Sequence, residues 1–124
     1  MATEGLEQGL TTVAASADLS LHQFKLVTFD ASAELALAGA GVDCNVLVDK
    51  PNAVGVSGTI LLSGIGKVIA GGAISAGDAL ASDAAGLAVL AATTDYIFGR
   101  ALEDAATSDV FRFQATAVAF NPGT

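Results

Sequence analysis

Short apolar runs separated by turn residues recur along the chain, most clearly between Lys67 and Arg100. Four glycines fall within sixteen residues of that stretch, and each costs roughly 1 kcal/mol inside a helix. This cost outweighs the helix propensity of the many alanines. Short runs with turn signals every 8–12 residues or so are typical of a small sandwich or barrel. The pattern therefore predicts a β-meander, with strands at Lys67–Ala70, Ala79–Ser82, Leu87–Leu90 and Tyr96–Ala101.

Four more apolar or alternating runs, outside that stretch, predict further strands. Phe24–Phe29 is rich in the aromatic and β-branched residues that suit a pleated, half-buried surface. Val110–Phe120 is the longest clean alternation and places Phe111 and Phe113 on one face. The other two predicted strands are Glu34–Ala38 and Val54–Ser63, the second with a glycine break.

One segment, Val42–Asp49, favours a helical turn instead. Asp43 and Asn45 are natural capping residues near its start. The pair Lys50-Pro51 is expected to end the turn, because the residue before a proline is pushed out of the α region. The predicted fold class is therefore all-β, with at most one or two short helical turns.

Residues 1–20 are mixed in character and lack a sustained apolar period. Thr11–Ala15 has the composition of a short strand. We expect residues 1–20 to form an N-terminal arm, mobile or held by a neighbour, and residues 21–124 to form a single β domain. An ordinary frayed terminus is the alternative.

The composition predicts a large apolar interior and a surface that carries little charge. Hydrophobic residues make up 52% of the 124 residues and charged residues 15%, which favours a packed core over disorder. So little charge for the outside indicates either an assembly interface or a surface of small residues. The longest uncharged run, Pro51–Gly66, is too short and too broken to cross a bilayer. The acidic N-terminal segment lacks the basic and apolar parts of a secretory signal peptide.

The net charge of −8 argues against binding to a nucleic-acid backbone, which requires clustered basic residues. An anionic membrane surface is disfavoured for the same reason. The five basic residues are scattered singly along the sequence: Lys25, Lys50, Lys67, Arg100 and Arg112.

Residues that carry chemistry are few. Cys44 and His22 are the only cysteine and histidine, so an intrachain disulfide and a site built on paired histidines are both excluded. We expect Cys44 to be a small buried apolar residue and His22 to lie at the surface or at a strand edge. The run from Gly64 to Lys67 is only superficially like a phosphate loop, because Leu61 and Val68 stand where that motif needs glycine and Ser/Thr.

Aspartates beside small residues are expected to form turns, since aspartate bonds its own backbone two residues on. No EF-hand-like spacing indicates calcium, and a catalytic carboxylate pair would need a cleft and a shifted pKa. The sequence therefore assigns no catalytic residue, no cofactor-binding residue and no metal ligand, and predicts a protein that is not an enzyme. The aspartates are Asp78, Asp83, Asp95, Asp104 and Asp109.

An ordered set of segments resembles the small capsid decoration, or cement, proteins of tailed bacteriophages. Its most specific part is the run from Ala73 to Gly86, followed by Tyr96–Leu102. The similarity extends from Phe24 to Leu102, roughly two-thirds of the chain. Further segments that contribute are Phe24–Val27, Asp49–Ala53 and Gly64–Val68.

The resemblance implies a compact β-barrel or β-clip-like body on the outer surface of an icosahedral head. Such a protein is made in the host cytoplasm and then joins the virion. On the head it bridges neighbouring major capsid proteins and stabilises the shell against internal DNA pressure. It also implies self-association, most often as a homotrimer at three-fold sites, and no cofactor. On this interpretation the N-terminal arm becomes ordered against the capsid or a neighbouring subunit. The alternative function is a β-clip-like module that binds a carbohydrate or another small ligand in a turn-lined groove.

Overall fold

The computed structural model describes residues 9–15, 19, 22–49, 55–92 and 95–120. These residues form nine strands and no helix, which confirms the all-β class. The strands are β1 Gly9–Ala14, β2 Leu26–Phe29, β3 Leu35–Leu37, β4 Asn45–Asp49, β5 Ser57–Ile69, β6 Ala79–Ser82, β7 Ala88–Leu90, β8 Tyr96–Ala101 and β9 Val110–Phe120.

The strands pair antiparallel in one curled sheet that forms a half-barrel. Its order is β3-β2-β4-β5-β9-β8-β6-β7, and β1 also pairs with β5, off this path. The long strand β5 joins the two halves of the sheet. Its first part pairs with β1 and β4, and its second part, from Gly64 onward, pairs with β9.

The regular strand geometry of β5 is interrupted at Gly64. Its φ of 94° lies in the left-handed region that favours glycine. Side chains on either side of it do not keep one alternation: Leu62 and Ser63 are both exposed, whereas Gly66 and Val68 face inward. The irregularity lets a single strand serve both halves of the curled sheet.

The main core lies on one face of the sheet and includes residues of β2, β4, β5, β6, β8 and β9. Phe98 and Phe113 meet there edge to face, with ring centroids 5.4 Å apart and planes at 76°, a favoured aromatic geometry. A second, smaller core lies on the other face of β2, β4 and β5, because adjacent residues of a strand point to opposite faces. Its buried members are Ala15, Leu19, Val27, Leu35, Leu47 and Ile60.

Aspartates close the turns in a repeated way. Asp78, Asp95 and Asp109 each accept the backbone N–H of the residue three positions earlier, at 2.9 Å. Asp83 accepts the N–H groups of the residues two and four positions on, at 2.8 and 2.9 Å. The turn-forming role is confirmed for these four. Asp104 instead accepts the N–H of Ala76, and so stabilises a different turn from its own.

Several strand predictions are confirmed by matching bounds, those of β6, β8 and β9 among them. The helical turn at Val42–Asp49 is wrong, because Asn45–Asp49 is β4, paired on both edges with β2 and β5. The glycine break in Val54–Ser63 and the separate strand at Lys67–Ala70 are also wrong. Ser57–Ile69 is one continuous strand, and Gly58 and Gly64 lie within it.

The predicted strand at Thr11–Ala15 corresponds to β1, which runs antiparallel to β5 from Gly9 opposite Ser63 to Ala14 opposite Ser57. Ala15 and Leu19 are buried in the second core. Residues 1–8, 16–18 and 20 of the predicted arm lie outside the described residues. The division into an arm and a body stays a prediction.

Candidate interaction surface

The outer face of β5, β9 and β8 collects three of the five basic residues of the chain. Lys67 on β5 lies directly opposite Arg112 on β9. Arg100 on β8 lies opposite Gln114, two residues along β9 from Arg112. Residues two apart on a strand share a face, and all three cations are exposed. We call this surface the basic face; it consists of Ile65, Lys67, Arg100, Val110, Arg112 and Gln114.

The charge on the basic face is only partly compensated. Glu103 lies beside Arg112, with 3.6 Å between its Oε2 and the guanidinium Nε, and the same oxygen accepts the Arg112 backbone N–H at 2.8 Å. Lys67 and Arg100 have no ion-pair partner among the described residues. Two basic residues remain for the rest of a chain with thirteen acids. The fold therefore segregates positive charge on one face of an acidic protein.

An open, mainly apolar groove of about 290 Å³ adjoins the basic face. Its walls come from β5, β9 and β4 and from Phe24, which precedes β2. Two of the cations, Lys67 and Arg112, line it together with apolar groups. The full lining is Phe24, Val48, Ile65, Gly66, Lys67 and Arg112.

Irregular backbone positions bring the apolar walls of the groove together. Phe24 has a φ of 65°, unusual for a bulky residue. Its N–H donates to the Leu47 carbonyl at 2.7 Å, and its carbonyl accepts from Ile69 at 3.0 Å. Val48 lies where the β4–β5 register shifts, which is how a bulge redirects a side chain. Such positions cluster at binding and switch regions.

Exposed apolar side chains extend the surface beyond the groove. Ile65 and Val110 are each 49% exposed on the basic face. Leu102 is attached to its edge, since its N–H donates to the Arg112 carbonyl at 3.0 Å. Exposed aliphatic groups interspersed with arginine are typical of protein interfaces, in which arginine is enriched and lysine is depleted.

The residues considered above for catalysis or for phosphate binding do not form such a site. Cys44 is buried in the main core, as predicted. Burial raises the pKa of its thiol to about 12, with a smaller increase from Asp43 and an opposing hydrogen bond from Ser82. A protonated, buried thiol is a poor nucleophile. His22 Nδ1 lies 3.2 Å from the Lys25 Nζ. The run from Gly64 to Lys67 is strand and not loop, so it cannot cradle a phosphate.

Within the described ranges, no group of three or more His, Cys, Asp and Glu side chains is arranged to hold a metal ion. The same part of the chain contributes no helix with the length and hydrophobicity of a membrane span. The basic face is not apparent from the sequence, because Arg100 lies 33 residues after Lys67 and 12 residues before Arg112. The signal that pointed to it was the alternation in β9, which placed Arg112 and Gln114 opposite Phe111 and Phe113.

Comparison with known proteins identifies the family. The chain matches the family model of phage cement proteins over residues 6–119. No curated protein matches it significantly. Among solved structures it is similar to the N-terminal base of the head fiber protein gp8.5 of bacteriophage phi29, with a TM-score of 0.67 and 21% identity over 89% of this chain and 95% of that one. That likeness shows a shared fold. The resemblance inferred from sequence is confirmed: the chain belongs to the phage cement protein family, and its role is a structural one in capsid decoration.

Proposed function

We propose that the protein binds the outer surface of an icosahedral phage head and bridges neighbouring major capsid proteins. The observation that carries this proposal is the basic face, an exposed mixture of cations and aliphatic side chains on an otherwise acidic protein. Binding to the assembled shell, and not to its separated subunits, stabilises the shell by mass action. With many copies on one shell, modest affinity per copy is sufficient.

The copies associate as a homotrimer at three-fold sites of the head. Closed symmetry is the rule for homo-oligomers, and Phe29 and Leu62 are exposed apolar side chains, at 49% and 45%, that an interface between copies can cover. The protein is made in the host cytoplasm and then joins the virion. Its partners are the major capsid protein and further copies of itself, with no nucleic acid and no membrane, in keeping with the net charge of −8.

The N-terminal arm, residues 1–20, contributes to assembly, while residues 21–124 form the body. Among the named strands, β1 pairs with β5 alone and lies off the main path of the sheet. A strand held along one edge is the kind of element that can pair instead with a neighbouring chain.

A small-ligand module is the weaker alternative. The groove is lined mainly by apolar groups, and the polar side chains that line it are two cations, Lys67 and Arg112, without the carboxylate or amide groups that would orient a carbohydrate. The family is structural, and we propose that the protein has no enzymatic activity.

Binding to emptied, expanded heads tests the proposal directly. Cosedimentation with such heads is expected to show saturable binding, and decorated heads are expected to withstand higher temperature than bare ones. Absence of binding would contradict the proposal. Sedimentation of the protein alone at micromolar concentration tests the oligomer: a trimer is expected, and a stable dimer would count against three-fold binding.

A further inference from the structure

We propose that the groove beside Lys67 and Arg112 is the docking site for an extended acidic segment of the capsid shell. The segment inserts one apolar side chain into the groove, and a neighbouring carboxylate meets the two cations. This inference rests on the proposed function and names the surface by which the protein holds the shell. The docking site combines an apolar wall with a pair of cations, and the volume of the groove limits the size of what can enter it.

The cation pair indicates an anionic partner. Lys67 and Arg112 are direct cross-strand partners, and like charges in such positions destabilise a sheet. A bound carboxylate removes that repulsion and accepts two charge-assisted hydrogen bonds from a guanidinium. The side chain of Arg112 is 61% exposed, so it is accessible to an incoming carboxylate.

The size of the groove indicates a side chain as its occupant. Its volume of about 290 Å³ lies at the lower limit of the roughly 300–1,000 Å³ of small-molecule pockets. Phe24, Val48 and Ile65 form its apolar walls. Anchoring residues of protein interfaces fill pockets of this kind, surrounded by a polar rim.

A protein segment fits this surface better than a nucleic acid does. A phosphate backbone would meet only three cations, one of which already lies beside Glu103, and it has no apolar group to cover Ile65 and Val110. Binding to nucleic acid depends on many cations that neutralise phosphates together.

The shell also fits better than a second copy of this chain. Most of the described acids already accept backbone N–H groups in turns, Asp78, Asp95 and Asp109 among them. These carboxylates are engaged in stabilising turns. An acidic partner with uncommitted carboxylates is therefore to be sought on the shell.

Two substitutions with a matched control test the docking site on expanded heads. Ile65→Glu and Lys67→Glu are expected to weaken head binding at least tenfold, because the first places an acid in the apolar wall and the second replaces one of the two cations with an acid. Leu90→Glu makes the same chemical change as Ile65→Glu at a side chain that is 56% exposed on β7, four strands from β5. It is expected to leave binding unchanged. Raising the salt concentration should weaken wild-type binding more than that of Lys67→Glu.

Different results would contradict the proposed function and the docking site. If the wild-type protein does not bind heads, the proposed function is wrong, and the docking inference is wrong with it. If the wild type binds and both Ile65→Glu and Lys67→Glu bind equally well, only the docking site is wrong. Equal weakening by Leu90→Glu would likewise overturn it, since the effect would then not depend on location.

A photo-cross-linking residue at position 65 identifies the occupant. On decorated heads it should link to the shell protein, at a segment where an apolar residue adjoins Asp or Glu. Cross-links to a second copy of this chain would overturn the inference. Binding of a duplex DNA fragment by the wild type, lost in Lys67→Glu, would do the same.

Discussion

Lys67 and Arg112 lie directly opposite each other on β5 and β9, so that two cations are neighbours on the face of the sheet that points away from the main core. Their strand neighbours point the other way: Val68 and Phe111 meet in the main core. The same alternation that builds the core therefore sets the two charges side by side outside it.

We expect Lys67→Glu to raise the free energy of unfolding by about 0.2–1 kcal/mol, because it converts a like-charge pair into an opposite-charge pair. Urea denaturation at low salt measures the change. Lys67→Gln, which only removes the repulsion, should fall between the two, and 1 M salt should reduce the differences. A lower denaturation midpoint for Lys67→Glu would contradict this account of the pair.

The turn at Gly77 depends on its backbone conformation. Its φ is 92°, its N–H donates to the Ala101 carbonyl at 2.8 Å, and a Cβ there would meet no atom within 4 Å. Gly77→Val is therefore expected to cost more than about 1 kcal/mol through strain and not through a clash. Gly72→Val is the matched control, since Gly72 also has open space but no positive φ. Equal denaturation midpoints for the two variants would show that the turn places no such demand.

The raised pKa of the Cys44 thiol predicts that the free energy of unfolding depends on pH. This pKa is about 12 in the folded protein, against an ordinary value of 9.0. The unfolded chain therefore loses this proton first, so the associated stability is fully present below pH 9 and is lost as the pH rises toward 12. The stability difference between the wild type and Cys44→Ala should shrink over that range. In the native protein at pH 8, the thiol should also resist a thiol reagent that labels it after unfolding. Rapid labelling of the native protein would contradict its burial.

Removal of the N-terminal residues distinguishes the roles of arm and strand. The sequence alone predicts that deleting residues 2–18 leaves stability nearly unchanged while head binding weakens about tenfold. The pairing of β1 with β5 and the burial of Ala15 change the first expectation, because such a deletion removes a strand and part of a core. Deleting residues 2–15 should lower the melting temperature clearly. Deleting residues 2–8 keeps β1 and isolates the effect on head binding. If heads bind that shorter deletion as well as the full chain, residues 2–8 are dispensable.

Local features account for what the sequence by itself determined. β6, β8 and β9 were predicted with matching bounds, because turn residues on each side delimit them. Asp78 and Asp95 were recognised as turn formers, since their hydrogen bonds reach only three residues back. The burial of Cys44 followed from its small apolar side chain. Each of these properties depends on a few neighbouring residues, which the sequence displays directly.

Only the tertiary structure decided the features that depend on distant pairing. The capping signals at Asp43 and Asn45 favour a helical turn, but two strand neighbours and a core on each face make that segment β4. β5 stays continuous through Gly64, because β1, β4 and β9 supply its hydrogen-bond partners in succession. The basic face exists only because Lys67, Arg100 and Arg112 take outward positions on strands that meet through the sheet. Charges that are scattered in the sequence thus become one surface through long-range hydrogen bonding.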